Sequence, residues 1–361
     1  MKSLSACTPE LIESTLRSYL DKRIAELEVI HPDVATLGGF VRDFTLNGGK
    51  RMRPLFAWTG YCTVEDSAET SGAQPEDFEA VIKAVSSLEL IQACALIHDD
   101  IIDASDSRRG KPTVHRQVES FYSAHPKAER LGNDQGILLG DLALAWADDM
   151  FFEAGLSTSA LARAWAPWHG MRSEVIAGQI LDIHNETTGQ SSAVGGADLF
   201  GDDLERAVQV MRYKTAAYTV ERPLHIGAAI AGASNEIIDA LRTYGVAIGK
   251  AFQLRDDLLG VFGDPAITGK PAGDDLREGK RTVLLAFAAQ ELGERAHLID
   301  DYLGKAEYVE TLRDIISSTN AEARCEQRIE ELREEGLAAV KGLPTEETLV
   351  SLALKATARK F

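Results

Sequence analysis

Three aspartates close the apolar run LIQACALI. Asp99, Asp100 and Asp103 stand at i, i+1 and i+4, and Arg108, Arg109 and Lys111 follow shortly after. Like charges one turn apart weaken a helix by a few tenths of a kcal/mol, and a desolvated carboxylate is very costly without a partner. Acids at the end of such a run therefore call for cations. A second apolar run ends the same way, in Asp256 and Asp257. Each pair is followed by Gly-Lys-Pro, at 110–112 and at 269–271, an echo expected of two half-sites that face each other.

Six Asp-Asp pairs occur in the chain, so pairing alone decides nothing. Asp202-Asp203 and Asp300-Asp301 read as solvated helix ends, where acids suit a helix N-terminus. Asp99 and Asp256 stand apart because of the apolar runs before them. For the first cluster, one reading is structural ion pairing with Arg108 and Arg109. The other is ligation of a hard metal, since oxygen-only ligands without His or Cys suit Mg²⁺. Mg²⁺ takes one or two carboxylates and completes its shell with water and substrate phosphates. Nearby Arg and Lys would then grip diphosphate oxygens. A third cluster, NGGKRMRPLF at 47–56, sets Lys50, Arg51 and Arg53 in a glycine turn before a helix. Such turns bind anions.

Other devices fail on inspection. GDPAITGKP is one residue too long for a P-loop and has Pro271 where a Ser or Thr would bind metal. No GxGxxG follows a strand, and neither HExxH nor GxSxG occurs. The eight histidines are scattered and read as surface or packing residues. Cys7, Cys62, Cys94 and Cys325 lie far apart, without zinc spacing or a disulfide framework, and read as reduced thiols.

The elements that must position these residues are helical. Thr8, Pro9 and Glu10 form a helix start. Amphipathic blocks cover 51–64, 77–104, 134–154, 158–185, 203–232, 235–262, 280–291 and 304–357. Segments 80–98 and 245–262 are apolar on most faces and belong at the centre. Alternating β-branched strands are missing, so the fold class is all-α. The interruptions at 187–198 and 263–275 are short enough to join neighbouring helices, and one domain over 1–361 is expected. A net charge of −18, from 38 basic and 56 acidic residues, excludes nonspecific nucleic-acid binding. No apolar signal core opens the chain, and Lys83 and Glu89 interrupt its greasiest stretch, so no membrane segment and a cytoplasmic location are expected.

Five segments in order, GGKRMRP, LIQACALIHDDIIDASDSRRGKPT, GQILDI, YKTAAY and GKAFQLRDDLLGVFGDP with GKPAGDDLREGKRT, resemble the trans-isoprenyl diphosphate synthases, or polyprenyl synthetases. The likeness spans nearly the whole chain. It implies a single-domain antiparallel helix bundle around a deep apolar cavity, the isoprenoid synthase fold, as a homodimer. By the same resemblance Asp99 and Asp103 are Mg²⁺ ligands with Asp100 in support, and Asp256 is the ligand of the second motif with Asp257 beside it. About three ions per active site are implied. Arg108, Lys214, Lys270 and Lys280 match the grip on the allylic diphosphate. Lys50, Arg53, Gln92 and Arg109 match the isopentenyl diphosphate site. Thr215 and Gln253 flank the reacting carbons, and Gln179 and Asp182 line the metal site. The second motif departs from the family's DDxxD, with Gly260 in its last position.

The implied reaction ionises dimethylallyl, geranyl or farnesyl diphosphate and adds isopentenyl diphosphate to the allylic cation. A proton is then lost to the departed pyrophosphate. Chain length is expected to follow the helix that carries Asp99, one turn of which rises about 5.4 Å. The fifth and fourth positions before Asp99 are Cys94 and Ala95, both small, with Ile91 and Leu88 deeper and able to narrow the pocket. Trp146, Phe151 or Phe152 could help to close it. Geranylgeranyl diphosphate is the expected main product. The alternatives are a farnesyl or a 25-carbon and longer product, a class I terpene cyclase, and a noncatalytic synthase subunit.

Overall fold

The computed structural model describes residues 4–65, 75–188, 203–264 and 272–358. The chain divides into two compact units, residues 1–169 with 222–239 and residues 170–221 with 240–361. In the first, α1 (Pro9–Ile30) starts as its sequence dictates. Thr8 Oγ1 accepts the Leu11 N–H at 3.2 Å, and Ile12, Leu16, Tyr19 and Leu20 form its buried stripe. There follow α2 (Pro32–Leu46), α3 (Met52–Glu65), α4 (Phe78–Ser86) and α5 (Leu88–Ile102). A short antiparallel pair, β1 (Ser107–Arg108) and β2 (Lys111–Pro112), then leads to α6 (Val114–Phe121) and α7 (Ala128–Phe152). The helix α8 (Thr158–Thr188) begins in this unit. The core is built chiefly by α5 against α7 and by α3 against the later α10 (Arg222–Ala231).

The second unit takes the rest of α8, α9 (Asp203–Val210), a π-helix (Met211–Glu221) and most of α11 (Asn235–Phe262). It continues through α12 (Asp274–Glu278), α13 (Val283–Leu292), α14 (His297–Tyr302), α15 (Val309–Ser317), α16 (Ala321–Ala339) and α17 (Glu346–Thr357). Leu254, Leu258 and Val261 of α11 meet Leu284, Leu285, Leu312, Ile316, Ile329 and Leu332 in its core.

The all-α class holds, and the β1–β2 pair is the only strand structure among the described residues. Several blocks are divided. The run 77–104 breaks at Ser87, the block 203–232 contains the π-helix, and 304–357 holds three helices. The stretch Phe78–Ile102 is also greasier than the charges Lys83 and Glu89 suggest. Within its 25 residues one 18-residue window has a mean hydropathy of 1.7, which satisfies a membrane span by length and composition, yet 78% of that window is buried inside the protein. Its apolar surface serves the core.

Candidate active site

In the first unit the side chains of α5 sort by helical face. Gln92, Ala95, Asp99 and Asp103 recur every three or four residues, and all four are half-buried. Asp103 caps the helix, its N–H bonded to the Asp99 carbonyl at 2.8 Å. Asp100 lies one residue round, fully buried, and accepts from Arg108 Nε at 2.7 Å. Arg108 also reaches Asp99 Oδ2 at 3.4 Å. Ion pairing with Arg108 and carboxylates on the half-exposed face thus coexist, with Asp100 supporting.

The opposite face locks α5 to α7. A Cβ on Gly140 would fall 2.2 Å from His98 Nε2, and that nitrogen sits 3.0 Å from the Ile137 carbonyl oxygen. His98 is a packing histidine. Cys94 lies on this side, its Sγ 3.8 Å from His98 Nδ1, and burial pushes its thiol up to about 12. The two small residues before Asp99 therefore occupy different faces: Cys94 is turned to α7, whereas Ala95 shares the face of Asp99. Ile91 and Leu88 are fully buried. Of the three aromatics, Trp146 is buried near Gly38, Phe151 stacks on Trp168 at 4.1 Å, and Phe152 is exposed beside Trp165.

The basic turn has a divided construction. Gly48, Gly49 and Arg51 all take positive φ, at 71°, 115° and 51°. Arg51 turns inward, where Nη1 donates to the Thr45 carbonyl at 2.8 Å and to Glu89 Oε2 at 2.7 Å. Lys50 is exposed and Arg53 buried. Arg109 folds back onto the turn and donates to the Asn47 and Gly48 carbonyls at 3.2 and 3.3 Å. Desolvation lowers its pKa; Glu89 opposes this, while Arg108, Arg51 and Arg53 push the same way. So many guanidiniums in one place invite an anion.

In the second unit Asp182 of α8 binds Lys214, Oδ2 to Nζ 2.5 Å, and Gln179 lies one turn earlier on the same helix. Lys214 and Thr215 belong to the π-helix, a form concentrated at functional sites. Only a glycine fits beside it, because a Cβ on Gly178 would fall 2.2 Å from the Lys214 nitrogen. On α11, Gln253 Nε2 donates to Asp257 Oδ1 at 2.7 Å, and Asp256 is half-buried. Burial raises the Asp257 carboxyl well above its ordinary range; Asp275, Asp256 and Asp182 add repulsion, and Gln253 counters it. Lys280 holds Glu278 at 2.5 Å. Lys270 lies outside the described residues.

Two residues escaped the sequence reading. Arg255 forks onto Glu326 at 2.5 and 2.6 Å and donates to the Thr357 carbonyl at 3.0 Å, pinning α16 and α17 to the helix that carries Asp256. Asp275 carries the foremost charge acting on Asp257; its signals were membership of an Asp-Asp pair and a place in the segment GKPAGDDLREGKRT. Among the described residues no three His, Cys, Asp or Glu side chains converge into a ready metal cage. The donors are carboxylates alone, which fits Mg²⁺, a cation that keeps water and substrate oxygens in its shell.

Comparison with known proteins bears on this arrangement. The polyprenyl synthetase family model matches residues 35–319. The geranylfarnesyl diphosphate synthase of Aeropyrum pernix is 33% identical over 279 residues, 76% of this chain and 77% of that protein. A (2E,6E)-farnesyl diphosphate synthase of Mycobacterium tuberculosis is 29% identical over 322 residues, 83% of this chain and 78% of that one. The crystal structure of geranylgeranyl pyrophosphate synthase from Corynebacterium glutamicum, complexed with isoprenyl diphosphate and magnesium, superposes with a TM-score of 0.89 at 48% identity, covering 98% of both chains. Carboxylate-ended apolar helices, a cationic turn and a family match across most of the chain agree: this protein is a member of the polyprenyl synthetase family.

Proposed function

We propose that this prenyltransferase condenses isopentenyl diphosphate with dimethylallyl, geranyl and farnesyl diphosphates to make mainly geranylgeranyl diphosphate. The observation that carries the reading is the half-exposed face of α5, where Asp99 lies one turn from the small, apolar Ala95 and Asp103 one turn further on. A substrate with a diphosphate head and a hydrocarbon tail needs both within a few ångströms.

Asp99, Asp103 and Asp256 would hold Mg²⁺, about three ions per site, and Mg²⁺ when bound neutralises the diphosphate leaving group. Arg108, Lys214, Lys270 and Lys280 hold the allylic diphosphate oxygens. Lys50, Arg53 and Arg109 hold the second diphosphate, with Gln92 on the neighbouring face of α5, so that the double bond meets the allylic carbon in register. Thr215 and Gln253 flank the reacting carbons, Gln179 and Asp182 line the acidic side, and Asp100 and Asp257 support their neighbours. The proton lost on forming the new double bond goes to the departing pyrophosphate, whose oxygens are the nearest base that the reaction itself supplies. The whole chain works as one catalytic domain and, by its family, as a homodimer.

Product length tests the reading. Ala95 shares the face of Asp99, so Ala95→Phe should shorten the product to farnesyl or geranyl diphosphate while turnover continues. Cys94→Phe, facing α7, should add to this through helix displacement. An active double variant with an unchanged product would show that the chain grows elsewhere.

A further inference from the structure

The second acidic motif ends in Gly260, and another carboxylate occupies the place of the missing side chain. A Cβ built on Gly260 would fall 2.0 Å from Asp275 Oδ2 and 2.4 Å from its Cγ. No side chain fits at position 260 unless Asp275 moves, and the blocking group is itself an acid. The two residues belong to different helices of the same unit, α11 and α12.

The neighbouring pair member shows that this placement is specific. Asp274 is engaged within its own turn by Arg277, Nη1 to Oδ1 3.0 Å. Asp275 instead directs its carboxylate at α11. Its backbone is held independently, since its carbonyl accepts the N–H groups of Gly279 and, at 3.0 Å, Lys280. Gly273 and Gly279 bracket this short helix with φ of 73° and 85°. A rigid turn therefore presents one acid to the helix that carries Asp256.

We propose that Asp275 is a positioning residue that supplies, from α12, the carboxylate that Gly260 leaves off α11, and that it holds the cation bound through Asp256. The inference rests on the Mg²⁺-dependent synthase reading. Carboxylates beside a metal ligand set its orientation and the local negative potential, and their loss typically lowers metal affinity by about 10–100-fold. Glycine at 260 and aspartate at 275 then form a matched pair in which the acid has changed helices.

The test is a carboxylate relocation read by calorimetric titration of Mg²⁺ in the presence of inorganic pyrophosphate, which needs no turnover. Asp275→Asn keeps shape and removes charge; it should weaken Mg²⁺ binding by about tenfold or more and leave the melting temperature nearly unchanged. Gly260→Asp alone should also weaken binding, because two carboxylates then compete for one space. Gly260→Asp with Asp275→Ala should bind Mg²⁺ at least about fivefold more tightly than Asp275→Ala alone. Wild-type Mg²⁺ affinity in Asp275→Asn, or a double variant no better than Asp275→Ala, overturns the proposal. The synthase reading fails separately, if the wild-type enzyme joins no isopentenyl diphosphate to any allylic primer.

Discussion

Arg51 and Glu89 form a buried ion pair, Nη1 to Oε2 2.7 Å, with side chains only 3% and 4% exposed. The pair ties the basic turn to the start of α5. Of three neighbouring cations, Arg51 therefore serves the scaffold, while Lys50 and Arg53 are the two proposed to hold a diphosphate. Removing one member of such a pair strands a buried charge. Glu89→Ala should destabilise the protein by about 3–5 kcal/mol, and Glu89→Leu with Arg51→Met should recover most of the loss, as read by denaturant unfolding.

Lys50 is exposed and takes no part in the core. Lys50→Ala should raise the KM for isopentenyl diphosphate by about tenfold, the effect of losing one charge-assisted contact. The KM for the allylic primer should hardly change. Steady-state kinetics with each substrate varied in turn checks the split; equal increases for both substrates would remove the dedicated second site.

Asp99 lies on the half-buried face of α5, its side chain 14% exposed, whereas Asp100 beside it is 1% exposed. Asp99→Asn leaves Arg108 its shorter bond, to Asp100 at 2.7 Å, so the fold should persist. Turnover should fall by about 10²–10⁴-fold, the kinetic equivalent of several kcal/mol of lost charge stabilisation. Circular dichroism and turnover at saturating Mg²⁺ read the two effects separately, and near-normal turnover would refute the ligand role.

Asp257 gives a pH dependence with a definite sign. Its carboxyl is raised by burial first and then by Asp275, so the folded protein binds a proton that the unfolded chain has already released. Stability is fully present below the unfolded carboxyl pKa and declines as pH rises through the folded one. Without Mg²⁺, Asp257→Asn should therefore melt above wild type at neutral pH, and the advantage should vanish in acid. Melting curves across pH check this; a neutral-pH loss in the variant would contradict it.

Much of this was legible in the chain, and the rest was hidden for identifiable reasons. The Thr8-Pro9-Glu10 start, the apolar runs and the two acid pairs are local patterns. By contrast, α2 escaped because Gly38 and Gly39 interrupt its pattern, although Gly38 is needed for the close approach of Leu27. The π-helix is also invisible, since nothing in the types of its 11 residues marks bonding to the fifth residue rather than to the fourth. Three basic residues in one turn look alike until the positive φ of Arg51 sends it inward. Asp275 and Gly260 are 15 positions apart, and only the folded backbone makes them occupy one space.

The most direct test of the central claim is the product itself. Purified protein should be incubated with radiolabelled isopentenyl diphosphate, Mg²⁺ and, in turn, dimethylallyl, geranyl and farnesyl diphosphate, and the dephosphorylated products sized by chromatography. The account predicts geranylgeraniol as the main species from all three primers and no product when Mg²⁺ is chelated. Cyclic hydrocarbon, no elongation at all, or mainly farnesyl or 25-carbon and longer chains would contradict it.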